Sequence, residues 1–343
     1  MNLRVLSSFG VFGLLVAGFS LVAVLTSGKQ EMIIPQVSVV PISAVSPTLV
    51  TDVSLPRSAA VYNGLGAWVD SYDLDPVYVQ NPTVTSKDPK EMVAVGVNTV
   101  FLQAARSDAR AAWPTTDPWL LAEFLLASHQ VGLEVVAWYL PKWSADDEDL
   151  KRLTALSDFS VLGQRFDGLA VDIEWNSDGL SPEVRSLRLI KLSADLRAHV
   201  GSDPLGGIVM PPVLTDEINQ KFWPGFPWME IAPFYDVWMP MSYWSFRTEE
   251  HADPLYYSGE SIRLLRNHLG DPAAAVHGIG GIGAADGTDL PDPGEPLASV
   301  DDLEAFVRSL TENDAVGGSI YDWATTGDQA RGRLQDLFAA SFD

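Results

Sequence analysis

Phe166-Asp-Gly-Leu-Ala-Val-Asp-Ile-Glu-Trp175 has the length of a strand, an apolar middle and two acids at its end. Side chains alternate along a strand, so Ala170, Asp172 and Glu174 share one face. Outward from this stretch, short runs rich in Val, Ile and Gly recur at 65–70, 99–103, 134–139, 207–210, 237–242, 275–280 and 318–322, which with 168–174 makes eight. A loop and a helix-period stretch follow each of them, often behind a start signal. Asp117-Pro118 and Ser181-Pro182-Glu183 are two such signals, and Ser299-Val-Asp-Asp302 has the spacing of a capping box. Eight strands alternating with helices predict an α/β fold, a (β/α)8 TIM barrel over residues 59–343. A doubly wound sheet would want a phosphate-binding glycine fingerprint after its first strand. The glycine-rich Gly278-Ile-Gly-Gly-Ile-Gly283 comes late and runs into Ala-Ala-Asp-Gly-Thr-Asp, so it reads as a barrel strand with its loop.

Before the barrel, residues 5–28 carry no charge and follow Arg4. A run of that length spans a bilayer at about 1.5 Å per residue. Residues 1–28 are therefore expected to be a transmembrane anchor or a cleaved signal peptide, with everything after Lys29 outside the cytoplasm. Residues 29–58, mixed in Pro, Ser, Val and Thr, read as an extended stalk. The remaining composition narrows the partners. With 22 Lys plus Arg against 45 Asp plus Glu, the net charge is −23, which disfavours nucleic acid. There is no Cys, so thiolate metal sites and Cys nucleophiles are excluded.

In such barrels chemistry sits at the carboxyl ends of the strands. Those ends carry Asp70, then Gln103 with Arg106, Trp138-Tyr139, Asp172-Ile-Glu174-Trp175, Ser242-Tyr243-Trp244 and Tyr321-Asp322-Trp323. Aromatic faces stack on the C–H faces of sugars, while carboxylates bind hydroxyls and move protons, so a polysaccharide or oligosaccharide is the expected partner. Two acids on one buried face repel each other and lose hydration. At least one should then hold its proton towards neutral pH, as a general acid must. The sequence asks for no cofactor. His129, His199, His251, His268 and His277 form no pair at ligand spacing, and Asp286, Asp289 and Asp292 read as a solvated acidic loop sooner than a calcium site. His277 reads equally as a mouth residue or a satisfied core histidine, and no Gly-x-Ser-x-Gly elbow appears.

The stretch Asp167-x-x-Ala170-x-Asp172-x-Glu174 resembles the strand-four motif Asp-x-x-Asp-x-Asp-x-Glu of family 18 glycoside hydrolases, the chitinase-like barrels. The resemblance implies Glu174 as acid/base and Asp172 as the group orienting an N-acetyl substituent. Met241-Ser-Tyr243 is similar to that family's strand-six motif, which implies a hydroxyl from Tyr243 beside the N-acetyl oxygen, and Trp323 to its floor tryptophan. Ala170 stands where the family has its middle Asp, and Trp244 where it has an Asp after the tyrosine. Family 25 lysozyme-type barrels are a close second resemblance, in which Asp70 and Asp322 would supply the acids of strands one and eight. The expected activity is glycosidic cleavage of a cell-envelope or environmental polysaccharide, catalysed by Glu174, Asp172 and Tyr243. Asp70, Gln103, Arg106, Trp138, Tyr139, Trp175, Trp244, Asp322 and Trp323 are the expected substrate contacts. A non-catalytic carbohydrate-binding or cell-wall scaffold barrel is the alternative. A metal-dependent hydrolase ligated by Asp172, Glu174 and Asp322 is a weaker third reading.

Overall fold

The computed structural model describes residues 57–284 and 296–342. The anchor or signal segment, nearly all of the stalk, and Asp286, Asp289 and Asp292 lie outside the described residues. Among the described residues no helix is long and apolar enough to cross a membrane.

Eight strands form a closed, wholly parallel barrel: β1 (Gly64–Val69), β2 (Thr99–Gln103), β3 (Glu134–Tyr139), β4 (Gly168–Ile173), β5 (Leu205–Val209), β6 (Val237–Ser242), β7 (Ala275–Gly280) and β8 (Gly317–Ile320). Each pairs with its neighbours in chain order, and β8 closes on β1 through the register Gly64↔Gly317 to Ala67↔Ile320. Outside lie α1 (Asp88–Ala94), α2 (Pro118–Gln130), α3 (Glu148–Asp158), α4 (Pro182–Val200), α5 (Trp228–Ile231), α6 (Pro254–Leu269), α7 (Asp302–Glu312) and α8 (Asp328–Ser341). Their starts use the signals read from the sequence. Asp117 accepts from the Trp119 amide at 2.9 Å, while Ser299 and Asp302 exchange bonds of 3.2 and 3.0 Å as a capping box does. Along α7 the buried Leu303, Phe306, Val307 and Leu310 follow the period of one helix face.

Strand alternation divides the apolar residues into two cores. Leu65, Ala67, Val69, Ala137, Tyr139, Leu169 and Val171 point outward under the helices. Trp68, Phe101, Val136, Trp138, Ala170, Ile208, Met239 and Ile279 fill the barrel. The bottom is plugged by a single 3-10 turn, Ala59–Tyr62, capped by Ser58. Tyr62 is fully buried there, its hydroxyl donating to the Leu169 carbonyl at 2.7 Å. Glycine makes room for these rings. A Cβ on Gly206 would stand 2.9 Å from Tyr62 Cε1, and one on Gly66 would stand 2.5 Å from Phe101 Cε2.

His277 belongs to this interior rather than to the mouth. It is 1% exposed, with Nδ1 2.8 Å from the Tyr62 carbonyl and Nε2 2.9 Å from Ser319 Oγ. Trp68 Nε1 donates to the same Oγ at 2.7 Å. One proton arrangement satisfies all of them: Nδ1–H donates to Tyr62, and the Ser319 hydroxyl accepts from Trp68 and donates to Nε2. Burial pushes the imidazole down to about 4 from an ordinary 6.5. The unfolded chain therefore takes up a proton below pH 6.5 that the fold refuses until about pH 4. Stability should fall across that window by about 3 kcal/mol. Urea unfolding at pH 7, 5.5 and 4.5 checks this, because the decline should flatten in His277→Gln. An equal slope in both proteins would assign the decline to other groups.

Candidate active site

The alternation that fills the barrel continues to its carboxyl-terminal rim. Above Trp68 comes Asp70, above Phe101 Gln103, above Ala170 Asp172 and then Glu174, above Met241 Tyr243, and above Ser319 Tyr321. The floor beneath them is aromatic. Trp68 stacks on Phe101 at 4.5 Å and meets Trp138 edge-on at 5.8 Å, and Tyr321 lies 6.1 Å from both Trp68 and Tyr243. Such a surface can carry the apolar face of a sugar ring.

The acids divide into two groups. Asp172 is 6% exposed, and its Oδ1 has no hydrogen-bond partner. Burial, then the neighbouring Glu174, hold the Asp172 carboxyl well above the usual carboxylate range, and Lys142 opposes them. Glu174, half-buried, is raised by burial, again against Lys142. The Tyr243 phenol faces this pair. Burial and the fields of Glu174, Asp172 and Asp322 push it up, so it stays a neutral O–H donor.

The second group lies across the mouth. Asp70 Oδ2 accepts from the Tyr321 hydroxyl at 2.9 Å, and Asp73 Oδ2 accepts from the Asp70 amide at 3.0 Å. Burial, Asp322 and Asp70 push Asp73 up to about 8, so it holds a proton at neutral pH. One carboxylate oxygen each of Asp70, Asp73 and Asp322 lies within 4.8 Å of the others. That trio, and not Asp172, Glu174 and Asp322, is the acidic cluster with metal-ligand spacing among the described residues.

Gln103 and Arg106 stand at the rim beside β2. Gln103 Oε1 accepts from the Ser71 amide at 3.0 Å, and Arg106 donates to the Tyr72 hydroxyl at 2.7 Å with its guanidinium 4.4 Å from that ring. Trp175 lies beside Glu174 with the Lys142 ammonium 2.9 Å from its ring centre. Trp138 is 4% exposed and serves as floor, donating to the Phe101 carbonyl at 3.2 Å.

Three expected contacts face away from the mouth. Tyr139 follows the inward Trp138 and so points outward, 1% exposed, donating to Asp149 at 2.7 Å. Trp244 follows the inward Tyr243 and packs on Phe306 of α7 at 5.1 Å, 1% exposed. Trp323 would keep the inward parity of Ser319 and Tyr321 if β8 continued, but β8 stops at Ile320. Asp322 Oδ1 then accepts from the Thr325 amide at 2.9 Å, a side-chain turn that redirects the chain. Trp323 ends under the helices, donating to Asp88 at 3.3 Å and covered by the Arg331 guanidinium at 3.6 Å. Tyr321 occupies the floor instead. Parity counted along each strand would have separated Tyr139 and Trp244 from their neighbours. Lys142 was missed because it lies three residues beyond β3, where no strand period reaches.

No protein-family model matches the chain, and no curated relative does. Solved structures do. The chain is similar to an endo-1,4-β-mannanase from Rhizomucor miehei at a TM-score of 0.58, with 8% identity over 81% of this chain and 94% of that one. It is similar to the spore cortex-lytic enzyme SleL of Bacillus cereus at 0.57, with 10% identity over 80% and 74%. A chitinase from Chromobacterium violaceum matches at 0.53, with 14% identity over 81% and 99%. At these identities the likeness is one of fold: the chain is a (β/α)8 barrel of the form these glycoside hydrolases share.

Proposed function

We propose that the protein is a glycoside hydrolase of family 18 type, acting outside the cytoplasm on a cell-envelope or environmental polysaccharide. The observation that carries the reading is the Asp172–Glu174 pair, two carboxyls that burial raises on one rim of an aromatic-floored mouth. The structural neighbours, whose names give a mannanase, a cortex-lytic enzyme and a chitinase, support the substrate class. The place outside the cytoplasm rests on the uncharged residues 5–28.

In this reading protonated Glu174 gives its proton to the glycosidic oxygen as the C–O bond breaks. The positive charge that grows on the sugar is met by Asp172 and by a substrate N-acetyl oxygen held by the Tyr243 hydroxyl. Water then supplies the oxygen that restores the anomeric carbon, and its proton returns to Glu174. Incubating the full-length protein with chitin oligomers, peptidoglycan and β-mannan, and following reducing ends, tests the reading. Release from one class names the substrate. Binding without release from any would favour a carbohydrate-binding scaffold, a reading supported by Ala170, which offers no polar group beneath Asp172.

A further inference from the structure

Lys142 is a half-buried lysine with no ion pair or hydrogen bond to its ammonium among the described residues. Lys151 and Lys191 are ion-paired, and Lys87, Lys90 and Lys221 are exposed. The position of Lys142 is built with care. Asp149, at the start of α3, gathers the loop after β3 by accepting from the Tyr139 hydroxyl at 2.7 Å, the Lys142 amide at 3.0 Å and the Ser144 amide at 2.9 Å. Trp143, 1% exposed, donates through Nε1 to the Trp175 carbonyl at 2.5 Å and so ties that loop to the end of β4. The outward Tyr139 thus anchors the loop that presents Lys142. The ammonium rests on the ring of Trp175, the residue that follows Glu174, within the fields of both carboxyls.

Resting on the hydrolase reading, we infer that Lys142 is a positioning residue whose ammonium keeps one negative charge on the Asp172–Glu174 pair, so that the resting site shares one proton between two carboxyls. The surroundings leave this task to Lys142. Ala170 is a buried methyl below, and Asp172 Oδ1 has no donor. From β6 Tyr243 brings a neutral phenol, with Asp322 beyond it on the β8 side adding further negative field. From the β2 side Arg106 opposes Lys142, but its own charge faces Asp108 at 3.9 Å. Burial, then Arg106, push the Lys142 ammonium down, and Glu174, Asp172 and the loop-holding Asp149 oppose them by favouring the cation. Lys142 is the cation that acts against the raised proton affinity of both Asp172 and Glu174. Without it both carboxyls would hold their protons to higher pH, weakening the anionic partner for the charge formed on the sugar.

The test compares wild type, Lys142→Met and Lys142→Arg in two readouts. In pH profiles of kcat, the acid limb of the Met variant should move up by roughly one unit, the lower end of the range for removing a nearby opposite charge, and the Arg variant should restore it. A lower kcat with an unmoved profile would make Lys142 merely structural and overturn the inference. The second readout is carboxyl titration by 13C NMR, with Glu174→Gln to assign the pair. It needs no turnover. Upward-shifted midpoints in the Met variant support the inference even if no glycan is cleaved and the hydrolase reading has failed. Unshifted midpoints overturn it even if glycan is cleaved.

Discussion

Glu174→Gln should lower glycan cleavage by about 10²- to 10⁴-fold, the usual contribution of a positioned general acid, while binding and fold persist. The amide keeps the size of the side chain and its place next to Trp175, but it has no proton to give to a leaving oxygen. Half-burial also favours the substitution structurally, since the amide replaces a carboxyl whose charged form burial penalises. The variant should therefore unfold no more readily than wild type. Asp172→Asn should also lose activity, and for a different reason: the second carboxyl, which shares the pair's negative charge and faces the developing positive charge, is gone. Rates from single turnover, read beside sugar affinity, separate the two. Undiminished cleavage by Glu174→Gln would move the acid role elsewhere, and the Asp70, Asp73 and Asp322 group across the mouth would be the place to look.

Tyr62→Ala should be the most damaging substitution in the barrel interior away from the mouth. The ring fills the bottom, with Gly206 shaped around it, so truncation opens a cavity that the closed sheet is poorly able to collapse. A loss of about 3–5 kcal/mol is expected for removing a buried aromatic side chain. Tyr62→Phe keeps the ring and loses only the hydroxyl bond to Leu169, so it should cost about 0.5–1.5 kcal/mol, the net worth of one hydrogen bond. Urea midpoints of the two variants check the difference. Near-equal losses would mean that the hydroxyl, not the ring, holds the plug in place.

The barrel was legible because its signals are local. Each strand announces itself in four to seven residues, as at Glu134–Tyr139, and each helix start in three or four, as at Ser299–Asp302. The strand-end positions of Asp70, Asp172 and Tyr243 followed from the same alternation. Tyr139 and Trp244 turn outward under that same alternation, so aromatic type alone does not bring a strand-end residue to the mouth. Trp323 lay beyond any local rule, since the turn made by Asp322 and Thr325 reverses the direction that the strand implies.

By itself, then, the sequence determined a (β/α)8 barrel with an acid pair on one inward face of its fourth strand, for period and strand order are properties of the chain read in line. Tertiary structure alone decided that His277 is sealed inside against Tyr62 and Ser319, that Asp73 joins Asp70 and Asp322, and that Lys142 comes to rest on Trp175. Apart from Asp70 and Asp73, which a short turn already joins, these are meetings of residues far apart in the chain. Desolvation and charge act through space, and only barrel closure brings those groups within range of one another.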